Sequence, residues 1–199
     1  MTKQVDYYIC LISPYTYMGD AGLTKIAKKH NARINYKPVN LGQIFPETGG
    51  LPLAKRAPAR QAYRMQELTR WRDFLGLPMN LTPAHFPTAE WPAAGMVIAA
   101  IEQNLNPGDL VNGFLSAVWA EERDISDKDT MITIANEKGF DGSALFVAAE
   151  ASAIREAWDV NSSVAIAAGV FGAPTYVYDG QIYWGQDRLD FLERALAAN

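Results

Sequence analysis

From Val5 to Leu11 every residue except Asp6 is apolar or aromatic, a run that predicts a buried strand. Between Tyr15 and His30 the chain places Tyr17, Ala21, Leu23, Thr24, Ala27 and Lys28 at spacings near three and four, and it closes on Lys28-Lys29-His30-Asn31. That is the pattern of a helix with a basic last turn. Ile34 to Val39 alternates and predicts a second strand. The opening is therefore β–α–β, the start of a parallel α/β unit with a right-handed crossover. Residues 40–58 carry Pro46, Gly49, Gly50, Pro52 and Pro58, which predicts a loop. A helix over 59–75 follows, with Tyr63, Leu68, Trp71 and Leu75 on one side and a stop at Gly76-Leu77-Pro78. After a second proline-rich loop, through Pro83, His85, Phe86, Pro87, Trp91 and Pro92, helices are expected over Ala93–Gln103, Pro107–Glu122, Ser126–Asn136, Asp141–Ala149 and Ser152–Ala168. Pro174–Tyr178 and Gln181–Trp184 predict a hairpin turning at Asp179-Gly180, two residues that tolerate positive φ. Leu189 to Ala198 closes the chain as a helix.

Composition narrows this picture. With 199 residues, 49% of them hydrophobic and 20% charged, the chain can bury a real core within one domain. The helical block, about 76–168, reads as an insertion between flanking parts 1–75 and 169–199, because no linker of disordered composition sets it off. A net charge of −4 leaves no basic stripe to neutralise phosphates, which argues against nucleic acid. A single cysteine, Cys10, forbids an intrachain disulfide and fits a reducing compartment. The first residues lack the apolar stretch of a signal peptide, and no run is long enough to span a membrane. The expectation is a cytoplasmic protein with no membrane contact and no metal site.

The chemistry centres on Ser13. It lies where the first strand stops and the first helix begins, followed by Pro14, which suits the first helical position. Two readings stand side by side. Ser13 is an N-cap whose oxygen accepts a backbone N–H; or it belongs to a site for an anion such as a thiolate, which a helix N-terminus stabilises. The cations Lys55, Arg56 and Arg60 in and after the first loop are either solvated or a clamp for a carboxylate. Cys10 reads as a small buried residue within the strand.

Three stretches, Ser13-Pro14-Tyr15-Thr16-Tyr17, Gly172-Ala173-Pro174-Thr175 and Trp184-Gly185-Gln186-Asp187-Arg188-Leu189, together resemble the 2-hydroxychromene-2-carboxylate isomerases. These are relatives of kappa-class glutathione transferases within the DsbA-like group. The segment from Tyr63 through Leu68-Thr69-Arg70-Trp71 to Gly76-Leu77-Pro78 looks like the same family, so the resemblance spans nearly the whole chain. It implies an α/β, thioredoxin-like fold with an all-helical insertion. It also implies a glutathione-dependent isomerase that interconverts 2-hydroxychromene-2-carboxylate and trans-o-hydroxybenzylidenepyruvate in the breakdown of aromatic compounds. Glutathione would be the cofactor, a small aromatic molecule the substrate, and a homodimer the assembly. Trp91, Trp119 and Trp158, in or just before the helical insertion, are of a type enriched in interfaces, though core packing is the commoner fate of each.

By the same resemblance Ser13 activates the glutathione sulfur. Ala173 precedes a cis peptide bond and turns its backbone toward the cysteinyl moiety, while Trp184, Gly185, Gln186 and Asp187 hold the γ-glutamyl end. Asp187 is otherwise a helix cap. Lys55 and Phe86 fall near family positions that line the substrate pocket. Where redox members carry Cys-x-x-Cys, this chain has Ser13-Pro14-Tyr15-Thr16, which excludes disulfide chemistry there. Where the family usually has aspartate, it has Cys10. Two rivals remain: a kappa-like transferase or peroxidase that consumes glutathione, and a DsbA-like protein that binds a partner without chemistry.

Overall fold

The structure is a computed structural model that describes residues 3–198. Four strands form one mixed sheet in the order β2-β1-β3-β4. Strand β1 (Gln4–Ile9) pairs in parallel with β2 (Arg33–Pro38), and antiparallel with β3 (Thr175–Tyr178) along its other edge. Strand β4 (Gln181–Trp184) returns antiparallel to β3 and forms the outer edge. The turn between them has Asp179 at φ 49° and Gly180 at φ 71°, the two positive φ values of a type I′ hairpin. The thioredoxin-like order expected from sequence is the one observed.

β1 is apolar on both faces because both faces are covered. Val5, Tyr7 and Ile9 enter the main core, with helix α1 (Pro14–Lys29) and the helices beyond it. Tyr8 points the other way and packs with Val39, Ile44, Ala165 and Val170. Ile44 belongs to α2 (Leu41–Thr48), a helix within the segment that the prolines and glycines marked as loop. Asn40 starts it by accepting the Gly42 N–H, and Gly49 ends it at φ 78°. Pro46 lies inside, six residues from the start, so it forfeits few intrahelical bonds in so short an element. Burial of Ile44 outweighs that local preference. A 3₁₀ turn, Leu53–Lys55, follows.

Helix α3 (Pro58–Leu75) ends at Gly76, whose φ of 62° is the left-handed C-cap. Its buried positions are Arg64 and Leu68, while Tyr63 and Leu75 are exposed. Leu68 and Trp71 face the core as expected, Tyr63 and Leu75 do not, and an arginine enters the interior. Helices α4 (Ala93–Glu102), α5 (Gly108–Trp119), α6 (Lys128–Glu137), α7 (Gly142–Ala149) and α8 (Ser152–Ala167) follow, and α9 (Leu189–Ala198) closes the chain. Helix α5 stops at Trp119, earlier than expected, and Glu122 beyond it takes a left-handed φ of 54°. Trp119 and Trp158 are buried, so neither is available to an interface. Trp91 stacks on Trp158 with centroids 5.2 Å apart, and Arg155 lies over both rings. No described helix is long and apolar enough to cross a membrane.

One close approach sets the far end of the sheet. A Cβ at Gly19 would lie 2.4 Å from the Tyr176 hydroxyl and 3.2 Å from Cβ of Gln186. Glycine there lets α1 meet β3 and the 3₁₀ turn Gln186–Arg188. Segments from the two ends of the chain are brought together this way.

Candidate active site

Ser13 is the N-cap of α1, with φ −82° and ψ 123°. Its Oγ accepts the Thr16 N–H at 3.2 Å and donates to the Ala173 carbonyl at 3.2 Å. The cap itself is worth about 1 kcal/mol. The second bond spans 160 positions of sequence and joins the α1 N-terminus to the start of β3. Ala173-Pro174 is a cis peptide bond, as the resemblance implies, and the Ala173 carbonyl is the atom aimed at Ser13. The cap and the site are thus one arrangement.

The first turn of α1 has a particular economy of donors. Pro14 has no N–H, the Thr16 N–H goes to Ser13 Oγ, and the Tyr17 N–H goes to the Ser13 carbonyl. Tyr15 N–H is left without a partner among the described residues. The same turn contains no acidic residue, so the positive end of the helix is uncompensated. The Thr16 hydroxyl, fully buried, also has no partner among the described residues. A hydroxyl, a spare amide and an uncompensated dipole are the donor set that a thiolate needs.

The hairpin end is tied to the same place. Gly185 N–H donates to the Pro174 carbonyl at 2.9 Å, and Arg188 N–H to the Gly185 carbonyl at 3.1 Å. Gly185 has φ 103°, and a Cβ there would stand 2.5 Å from Asp187 Oδ1. Asp187 lies in the 3₁₀ turn, pairs with Arg188 at 2.9 Å and makes no side-chain cap. No backbone N–H reaches the Asp187 carboxylate, so the capping reading is corrected; Arg188 meets Oδ2 and leaves Oδ1 without a partner among the described residues. Gln186 packs on Gly19 of α1. Trp184 is half-exposed, with its ring 4.8 Å from Phe171 and its Nε1 where a Cβ of Gly172 would fall.

The remaining expectations divide. Phe86 is half-buried and packs tilted against Trp119, with ring centroids 4.9 Å apart, an aromatic wall. Lys55 is exposed in the 3₁₀ turn and makes no ion pair among the described residues; nothing draws it to Ser13. His85 lies 3.8 Å from Asp124. Cys10 lies just past the end of β1 and not within it, and it has a polar partner. Its thiol donates to Glu90 Oε2 at 3.3 Å, while the Leu11 N–H donates to the other oxygen of the same carboxylate. The Ser13 N–H in turn donates to the Cys10 carbonyl at 3.0 Å. Glu90 thus clamps the turn that delivers Ser13.

Burial raises the Glu90 carboxyl from 4.5 to about 7, against the lowering effect of the two groups that donate to it. The buried Cys10 thiol is pushed well up, by burial first and the Glu90 charge second. It is protonated at neutral pH and is no nucleophile. Sequence reasoning missed Glu90, since one carboxylate in a proline-rich loop carries no signal of its destination. A cleft of about 850 Å³ on the other side of α1, lined by Asp20, Tyr36, Asn106 and Asn112, contains none of these residues.

The model of the DsbA-like thioredoxin domain matches residues 4–197. The chain belongs to that family. Within the DsbA-like group it is similar over its full length to a 2-hydroxychromene-2-carboxylate isomerase of Sphingobium xenophagum, 29% identical over 98% of this chain and 99% of that one. A solved structure of a 2-hydroxychromene-2-carboxylate isomerase superposes with a TM-score of 0.82 at 26% identity, covering 98% of this chain and 95% of that one. A kappa-class glutathione transferase of Caenorhabditis elegans is 26% identical over 96% of this chain and 92% of that one.

Proposed function

We propose that this chain is a glutathione-dependent isomerase of the 2-hydroxychromene-2-carboxylate type, acting on that acid and trans-o-hydroxybenzylidenepyruvate in the catabolism of aromatic compounds. The observation that carries the reading is the bond between Ser13 and Ala173 at the open N-terminus of α1. The residues fit glutathione. Ser13 Oγ and the Tyr15 N–H supply donors for a thiolate, the Ala173 backbone lies beside them, and Asp187 offers a carboxylate for an ammonium. Glutathione, when bound, supplies a nucleophile that adds reversibly to a conjugated carbon and so permits rotation about the former double bond. The chain's part is to hold the sulfur ionised and to place the substrate. Redirecting the Ser13 hydroxyl from the Ala173 carbonyl to a thiolate requires only rotation about its C–O bond.

Turnover with a known amount of reduced glutathione tests the reading. Substrate should isomerise over many cycles while the free glutathione concentration stays constant. Stoichiometric loss of glutathione would favour a transferase, a reading supported by the similarity to the kappa-class enzyme. Saturating reduced glutathione should also raise the melting temperature, since a ligand bound only by the native state stabilises it. No shift would remove the site assignment. The assembly we propose is a homodimer, and light scattering at micromolar concentration should return twice the chain mass; a monomer mass would refute it.

A further inference from the structure

Arg64 is 9% exposed on a helix whose neighbouring positions Ala62, Tyr63 and Gln66 face solvent. A guanidinium stays charged in proteins, and a buried charge is costly unless something of opposite sign meets it. No carboxylate among the described residues does so. Arg64 Nη1 donates to the Met65 thioether at 3.8 Å, a weak acceptor, and its guanidinium carbon lies 5.7 Å from the centroid of Phe86. The neighbouring carboxylate, Glu67, is committed to Arg70 at 2.6 Å. The charged and titratable groups acting on Arg64 are the Tyr15 phenol and a second cation, Arg56. Arg56 has no ion pair among the described residues either, spending its Nε on the Leu51 carbonyl.

This unpaired positive cluster adjoins the chemistry. Tyr15 is two residues past Ser13, and Phe86 is backed by Trp119. A planar aromatic would lie against that wall, and a guanidinium fork matches a carboxylate in two parallel hydrogen bonds. We infer that Arg64 is the carboxylate-binding residue of the site, holding the acid group of an aromatic substrate beside Phe86 with Tyr15 and Arg56 as its flanks. The identity of that substrate rests on the isomerase reading, whereas the carboxylate requirement rests on Arg64 alone. The carboxylate clamp considered at Lys55, Arg56 and Arg60 is thus moved one helix face inward, since Lys55 and Arg60 are exposed.

Calorimetric titration of the glutathione-saturated protein with chromone-2-carboxylate and chromone-2-carboxamide tests this. Wild type should prefer the carboxylate by about 10- to 100-fold. Arg64→Met should abolish that preference, and Arg64→Lys should retain part of it without the bidentate fit. Glutathione affinity should stay within about twofold in both, because Arg64 makes no hydrogen bond to Ser13, Tyr15, Ala173 or the segment 184–187. Ligand-free Arg64→Met should melt no lower than wild type, since an apolar side chain in place of an unpaired buried charge is neutral or stabilising. A structural arginine would give the reverse: a lower melting temperature and an unchanged preference. That result, or a wild type that does not discriminate, overturns the inference. If Arg64→Met fails to fold, the ratio in Arg64→Lys decides: an undiminished preference overturns the inference, and a reduced one supports it. An Arg64-dependent preference without isomerisation would sink the isomerase reading and leave the carboxylate site standing. Isomerisation with an Arg64-independent preference would do the opposite.

Discussion

Replacing Ser13 by alanine should lower kcat by about 10²- to 10³-fold, the usual effect of deleting one donor aimed at negative charge. Glutathione binding should weaken far less, because the backbone of Ala173 and the carboxylate of Asp187 remain. Stability should fall by about 1 kcal/mol through the lost cap, with a further loss from the severed tie to Ala173. The variant separates the two roles that one hydroxyl combines. A cap alone predicts the stability change with an unaltered rate; a thiolate donor predicts both. The ultraviolet absorbance of bound thiolate, followed against pH, gives the direct readout. Its midpoint should move up toward the value of free glutathione in Ser13→Ala. An unchanged midpoint together with an unchanged kcat would show that Ser13 only caps the helix.

Stability should peak at mildly acidic pH and decline toward neutrality. Two carboxyls carry the effect, Asp20 buried and Glu90 half-buried. Glu90 is raised from 4.5 to about 7, chiefly by burial, and Asp20 from 3.8 to about 6, also by burial, opposed by hydrogen bonds from Asn112 and Tyr7. A carboxyl whose folded value lies above its unfolded value is neutral in both states at low pH. As pH climbs from the unfolded value to the folded one, the unfolded chain ionises first and gains. Stability contributed by the neutral groups is therefore lost between about pH 4 and pH 7, up to about 3 kcal/mol for each group. The carboxylates of Glu67, Asp124, Asp127 and Glu193 are held below their ordinary values by partners, so their protonation weakens the fold at still lower pH. Urea midpoints at pH 5 and pH 8 test the balance. Wild type should be more stable at pH 5, and Asp20→Asn with Glu90→Gln should flatten the difference. Equal midpoints in wild type at the two pH values would mean that neither carboxyl is forced to ionise in a dry environment.

Features fixed by local chemistry were legible in the chain. Ser13-Pro14 announced a helix start, Gly76 a helix end and Asp179-Gly180 a tight hairpin, and each holds its position through its own backbone preference. The apolar run of β1, the alternation of β2, the order of the helices and the three motif stretches pointed to the fold and to the segments that meet around Ser13. What failed was whatever depended on a distant partner. Helix α2 forms against its own proline because Ile44 has a second apolar layer to enter. Arg64 is buried where the neighbouring Tyr63 was expected, and a helical period cannot say which residue of an apolar-poor helix will face inward. Glu90 meets Cys10 across 80 positions, and no local pattern encodes such a pairing. Lys55, Arg56 and Arg60 looked equivalent as charges; that Arg56 is half-buried while the other two are exposed is a matter of tertiary placement.

The order of strands in the sheet has a consequence for synthesis on the ribosome. Strand β1 lies at the centre, and β2 follows it closely in the chain, so one edge can be satisfied as soon as the first helix has folded back. The other edge belongs to β3, which is not made until the whole helical block has emerged. Throughout that interval the nascent chain carries an apolar strand with an open ladder of N–H and C=O groups, the kind of edge that recruits foreign strands. The Ser13 hydroxyl likewise has no Ala173 to meet. Shielding of that edge by a chaperone matters most late in translation, and truncation before residue 175 should leave the most aggregation-prone form of this protein.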